Sequence, residues 1–298
     1  MGSGYAVKTV PLIFGEVLFD CFEDGSRVLG GAPFNVAWNL QAFGAAPLFI
    51  SRVGDDASGR RIRDTMQQWG MNDAGLQLDC IHPTGTVKVT LREGEPDFEI
   101  VTDQAYDFIQ DCAMPPFDAA LIYHGSLGLR RPEAKAALES LKASHPAPVF
   151  LDVNLRPPWW EAEEVKQMLD GSTWAKLNEN EIKVLCEGRG DLRSSAEILL
   201  HDHALELIIV TRGSRGAFAL NQFGDFETVV PQDEISVVDT VGAGDAFASV
   251  CILGLLRQWD LKTLLFRAHS FASAQVGRQG ATVLDPGFYQ QQLRRWKV

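Results

Sequence analysis

The stretch DTVGAGDAFAS, residues 239–249, puts a carboxylate where an anion would normally be drawn in. Gly242, Ala243 and Gly244 make a turn of small residues. Asp245 follows just as a helical, almost wholly apolar run begins, Asp-Ala-Phe-Ala-Ser-Val-Cys-Ile-Leu-Gly-Leu-Leu. A helix start presents unpaired backbone N–H groups and the positive end of the helix dipole, and so attracts phosphate. Glycine lets the backbone approach such a ligand closely. The amides from Val241 to Asp245 therefore read as an anion hole. Asp245 itself has two readings. It is a helix N-cap, a position aspartate favours. Or it is a general base that takes the proton from a hydroxyl attacking phosphorus, while the amides stabilise the phosphoryl group in transfer.

These residues need a scaffold, and the rest of the chain supplies its pattern. Short apolar runs at 10–15, 46–54, 119–126, 147–154, 173–178 and 206–213 read as buried strands, each bounded by turn or cap residues. Helical patterns lie between them, at 34–44 with Gly44 as its stop, at 132–143 behind Pro132, and in SAEILLHDHA and DAFASVCILGLLRQW. Strands alternating with helices predict an α/β fold with a mainly parallel sheet. Two segments break the alternation. Residues 16–31 carry Asp24-Gly25 between apolar residues, a hairpin signal, and 84–103 alternate through Val87, Val89, Leu91, Phe98 and Ile100 with Glu93-Gly94 at the turn. They predict a small antiparallel sheet set into the α/β body. Its apolar face must cover a cleft or pair with a second copy of itself.

Composition narrows the function classes. A net charge of −12, from 27 basic and 39 acidic residues, disfavours nucleic acid and anionic membranes as partners. No apolar run approaches the ~18 residues of a membrane span, and MGSGYAVKTV has no signal-peptide core. Five cysteines without a CxxC pair fit a reducing cytoplasm rather than a disulfide framework or a zinc site. A dinucleotide oxidoreductase would need G-x-G-x-x-G after the first strand, where this chain has FGEVLFD.

DTVGAGDAFAS resembles the C-terminal signature of the PfkB, or ribokinase-like, carbohydrate kinases. LGGAPFNVAWNLQAFG (29–44) is similar to their N-terminal signature, and FISRVGDDASGR (49–60) to the stretch that follows it. The resemblance spans essentially the whole chain and favours the base reading of Asp245. It implies one ribokinase-like domain over 1–298, a three-layer α/β sandwich whose mainly parallel sheet carries a small β-sheet lid from segments 16–31 and 84–110. It implies that Asp20, Gly30, Gly31 and Asn35 line the sugar pocket. For the nucleotide it implies Asn178, Thr211, Gly213 and Gly216. Glu181, in KLNENEIKVL, would act through water on the Mg²⁺ that accompanies ATP, although Asn178 and Glu181 also read as a helix capping pair. His269 stands where the family usually has Asn, which puts the adenine contacts there in question. The carbonyls of Asp239 and Val241, with those around Arg278 and Gly280, match a monovalent-cation loop, so K⁺ is a further expectation.

DVNLRPPWW (152–160) resembles the corresponding segment of fructokinases and 2-keto-3-deoxygluconate kinases. Arg156 is expected on the phosphoryl group or the substrate, the alternative being a structural ion pair. The pocket segments carry few basic residues, which favours a neutral ketose, above all fructose, over a sugar phosphate. A keto-acid held by Arg156 or a lid arginine, and another sugar or nucleoside acceptor, remain the alternatives. Outside catalysis, the alternative is a sugar-binding regulatory protein on the same fold. A homodimer through the lid is expected from its two-faced alternation.

Overall fold

The computed structural model describes residues 9–92, 95–111, 117–188, 190–231 and 238–297. The expected Glu93-Gly94 turn, the Gly-Ser-Gly start and Cys112 lie outside them. The body is a nine-stranded sheet. In chain order its strands are β1 (Thr9–Phe14), β4 (Leu48–Gly54), β5 (Leu76–Asp79), β8 (Asp118–Gly125), β9 (Val149–Asp152), β10 (Trp174–Asn178), β11 (Leu207–Thr211), β12 (Ala217–Asn221) and β13 (Phe226–Val229). Across the sheet the order is β13-β12-β11-β10-β9-β8-β1-β4-β5. From β11 to β5 every neighbouring pair is parallel, and only β12 and β13 add on antiparallel at one edge.

The period of two along each strand splits the core into two faces. In β1, Ile13 packs on one side, while Leu12 and Phe14 pack on the other. In β11, Leu207 and Ile209 part in the same way from Ile208 and Val210. One face is covered by helices α1 (Ala32–Ala42), α7 (Ala243–Leu256), α8 (Leu261–Val276) and α9 (Pro286–Trp296), with α2 (Ala57–Gln68) beside them. The other is covered by α3 (Pro132–Ser144), α4 (Ala162–Asp170), α5 (Glu179–Leu185) and α6 (Leu192–Asp202). The three-layer expectation holds. Helix α7 is apolar nearly all round because it is buried from Ala246 to Gly254.

The second sheet has four strands in the order β3-β2-β6-β7, with β2 at Leu18–Phe22, β3 at Arg27–Gly30, β6 at Gly85–Arg92 and β7 at Glu95–Ile100. The β2–β3 hairpin turns at Asp24-Gly25 as its sequence requires. One expectation fails here. The sheet is mixed, because β2 and β6 pair parallel, Leu18 against Gly85 and Phe22 against Val89. Strand β2 continues from β1, and β6 follows β5, which runs parallel to β1 through β4. Both segments leave the same edge of the main sheet in the same direction, so they meet side by side. Asp20, Val28, Val87 and Ile100 fall on one face by this register. That face looks onto the carboxyl ends of the parallel strands, where open α/β sheets bind their ligands.

Candidate active site

Between the small sheet and the carboxyl ends of the parallel strands lies a cavity of about 530 Å³. Asp20, Gly30, Gly31, Asn35, Arg156, Gly242, Gly244 and Asp245 all line it. Eight of the residues expected from sequence, drawn from opposite ends of the chain, thus share one chamber.

Helix α1 brings Asn35 into its first turn, and α7 brings Asp245 into its own. The two meet as the Asn35 Nδ2 donates to Asp245 Oδ2 at 2.7 Å. Asp245 is not the N-cap. Gly242 holds that position with φ of 77°, and Asp245 sits in the first turn with its carboxylate turned to α1 instead of to its own helix. A side chain at Gly242 is doubly excluded: the backbone is left-handed, and a Cβ would stand 2.4 Å from the Cβ of Ala281. Gly31 is excluded in the same way, with φ of 108° and a Cβ position 2.6 Å from the Glu16 carbonyl oxygen.

The anion hole is narrower than the sequence suggests. The Val241 amide donates to Asp239 Oδ1 at 2.9 Å, and the Ala243 amide to the Thr240 carbonyl at 3.3 Å. Among the described residues, the amides of Gly242, Gly244 and Asp245 have no acceptor. Asp239 also accepts from the Gly280 amide at 2.9 Å, so its side chain ties the turn to the segment after α8.

Burial is the main cause that pushes the Asp245 carboxyl up to about 6, while the bond from Asn35 pulls it down. Asp20 is likewise raised to about 6 by burial, against the pull of Arg156. The ion-pair reading of Arg156 does not hold. Its one hydrogen bond goes to the Leu155 carbonyl, and among the described residues no carboxylate lies within ion-pair distance.

The expected nucleotide residues lie outside this cavity. Asn178 and Thr211 end the adjacent parallel strands β10 and β11 in register. Asn178 caps α5, accepting from the Asn180 and Glu181 amides, and Glu181 returns the bond to the Asn178 amide. The other oxygen of Glu181 accepts from the Leu155 amide at 2.9 Å. The capping reading is therefore realised, and it also ties α5 to the loop that carries Arg156. Gly213 and Gly216 lie in the turn between β11 and β12. Arg215 is exposed and pairs with Glu179, while Arg212 is half-buried and donates to Thr228 Oγ1 at 3.4 Å. His269 is partly exposed on α8, and burial lowers its pKa.

Two groups escaped the sequence reading. Lys176 Nζ donates to both oxygens of Asp152, at 2.7 and 2.9 Å, and both side chains are buried. Burial alone would lower the lysine pKa, and Asp152 more than offsets it. A Cβ at Gly244 would lie 3.8 Å from that ammonium, so a fixed cation stands beneath the first turn of α7. The signal was present. A lysine and an aspartate interrupt two otherwise apolar strands, and they are partners in the β9–β10 register. The second group is Glu16, which follows β1 and lines the cavity.

Comparisons with known proteins bear on what this chamber does. The family model "pfkB family carbohydrate kinase" matches residues 16–286. The fructokinase of Klebsiella pneumoniae is 32% identical over 282 residues, which cover 89% of this chain and 90% of that protein. The fructokinase of Salmonella typhimurium is 31% identical over 307 residues, covering 95% and 97%. Among solved structures, the fructokinase of Xylella fastidiosa with bound ATP has a TM-score of 0.83 and covers 98% of this chain and 100% of that one. At 21% identity, that likeness speaks for the fold. Aminoimidazole riboside kinase from Salmonella enterica has a TM-score of 0.80 at 26% identity, covering 96% and 99%.

Proposed function

The chain belongs to the pfkB family of carbohydrate kinases, and on that premise we propose that it is an ATP-dependent fructokinase acting on a terminal hydroxyl of the ketose. One observation carries the reading. A carboxylate, Asp245, is held by Asn35 at a cavity of about 530 Å³, beside three amides that have no acceptor among the described residues. Asp245 takes the proton of the attacking hydroxyl. The sugar oxygen forms its bond to the γ-phosphorus as the bond to the departing ADP oxygen breaks. The amides of Gly242, Gly244 and Asp245 hold the equatorial oxygens. Asp20 and Asn35 hold sugar hydroxyls, and the buried Asn35 Oδ1, which has no partner among the described residues, is free to accept one. Gly30 and Gly31 let the sugar lie against the backbone, and Arg156 reaches the phosphoryl group or the sugar.

Asn178, Thr211, Gly213, Gly216 and His269 line the nucleotide side in this reading. No cluster of three or more metal-ligating side chains exists among the described residues, which suits a Mg²⁺ carried by the nucleotide. Glu181 would meet it through water, by lone pairs its two amide bonds leave free. Mg²⁺ would neutralise charge on the phosphates. The Asp239 and Val241 carbonyls are the candidates for a K⁺ site.

The remaining expectations belong to the same proposal. The chain works as one unit, with segments 16–31 and 84–110 closing over the sugar and excluding water. No described helix is long and apolar enough to cross a membrane, and no disulfide joins the described cysteines, in keeping with a cytoplasmic enzyme. Phe22, Val28 and Phe98 leave the lid face partly exposed, which favours a homodimer through the lid. Light scattering at micromolar concentration is expected to give a dimer for the native chain and a monomer for Phe98→Asp. A native monomer would refute the lid interface.

Phosphorus and carbon NMR of the reaction with fructose tests the activity. One ADP is expected per fructose phosphate, with phosphate on a terminal carbon. Phosphate on an internal carbon, or ADP without a sugar phosphate, would overturn the reading. The base works only when ionised, so turnover is expected to fall as pH drops through about 6 and to level off above it. Asn35→Ala removes the bond that holds the carboxyl down, so the midpoint of the pH–rate profile should move up. A downward move would exclude Asn35 as the group that tunes the base.

A further inference from the structure

Glu16 is a buried acid for which the proposed transfer has no use. It is 3% exposed, sits between β1 and β2, and borders the same cavity as Asp20 and Asp245. Its Oε2 has no hydrogen-bond partner among the described residues. The wall beside it is the bare glycine Gly128, where a Cβ would come within 3.1 Å of that oxygen. A buried carboxylate oxygen without a donor is costly, so a donor that arrives with the ligand is its natural partner. The cavity thus gathers three carboxyls around one lining arginine, Arg156.

Resting on the fructokinase reading, we propose that Glu16 is the specificity residue that restricts this site to uncharged polyhydroxyl acceptors. Its free oxygen takes a hydrogen from a sugar hydroxyl. Its charge, added to those of Asp20 and Asp245, repels an acceptor that bears a carboxylate or phosphate. Discrimination of this kind works by a repulsive element as well as an attractive one. Arg156, counted alone, would favour a sugar acid, and Glu16 cancels that preference. The charged and titratable groups around Glu16 agree with this. Arg156 and Arg130 are its cationic neighbours, Asp245 and Asp20 its acidic ones, and Tyr106 and Tyr123 complete the ring. Burial foremost, with Asp245 adding to it, raises the carboxyl to about 7. The repulsion should therefore weaken as pH falls through that value.

The test compares native chain, Glu16→Gln and Glu16→Asp with fructose and 2-keto-3-deoxygluconate. It reads kcat and KM with MgATP, and separately sugar binding by calorimetry. Glu16→Gln should shift the kcat/KM ratio toward the acid by about 10-fold or more, as expected for removing one charge at close range. For fructose its loss should fall on KM, because the carboxyl acts in binding. Glu16→Asp keeps the charge and withdraws the contact. It should weaken fructose binding and leave rejection of the acid intact. A ratio unchanged in a folded Glu16→Gln protein overturns the inference, as does a Glu16→Asp variant that accepts the acid. Should the native chain phosphorylate neither sugar, the fructokinase reading fails. Calorimetry then decides on Glu16 alone: tighter binding of the acid to Glu16→Gln than to native chain upholds its role, and equal binding refutes it.

Discussion

Asp245→Asn is expected to lower turnover of fructose by about 10²–10⁴-fold, the usual worth of a general base, while sugar affinity persists. The substitution is isosteric, and the new amide oxygen can still accept from Asn35, so α1 and α7 stay in register. What disappears is the basic oxygen. Stability should move the other way. The folded carboxyl is raised to about 6 from an ordinary 3.8, chiefly by burial. A raised acid favours the fold while protonated and loses that contribution as pH rises through its folded value. At pH 8 the ionised Asp245 is therefore a burden on the fold, and the asparagine is not. Thermal unfolding at pH 8 should show Asp245→Asn at least as stable as the native chain, with calorimetry showing fructose still bound. A variant within threefold of native turnover would remove Asp245 from the role of base.

Lys176→Met should destabilise the protein by about 3–5 kcal/mol, because it strands Asp152 as an unpaired buried charge. Denaturant unfolding measures this. The double variant Lys176→Met, Asp152→Leu replaces the pair by apolar side chains and should recover most of the loss. It should not recover activity. In the proposed transfer the ammonium beneath the first turn of α7 would add positive potential where the phosphoryl gathers negative charge, and the double variant lacks it. A double variant with both native stability and native turnover would show that the pair serves packing alone. A single variant as stable as native would show that Asp152 is protonated or solvated in the fold.

Much of this site was legible in the sequence because the informative features are local. The left-handed turn before α7 demands Gly242, and the close pass over Glu16 demands Gly31, so glycine marks both positions. The alternation of Val87 and Val89 with polar neighbours marks the small sheet in the same way. What stayed hidden depends on pairing across the chain. The parallel β2–β6 contact follows from where two strands leave the main sheet, and no hairpin-like signal announces it. The Lys176–Asp152 pair needs the β9–β10 register before either residue can be seen as buried. That Asp245 stands past the N-cap could not be read from the pattern, because helix periodicity places a start only to within a residue or two. The helix begins at Ala243, which frees the carboxylate from its own backbone.

The most direct test of the account is initial-rate ADP formation with MgATP against fructose, ribose, 2-keto-3-deoxygluconate, aminoimidazole riboside and fructose 6-phosphate. The account predicts that fructose gives the highest kcat/KM and that fructose 6-phosphate is not used. Turnover of a nucleoside or an anionic acceptor in preference to fructose would contradict it.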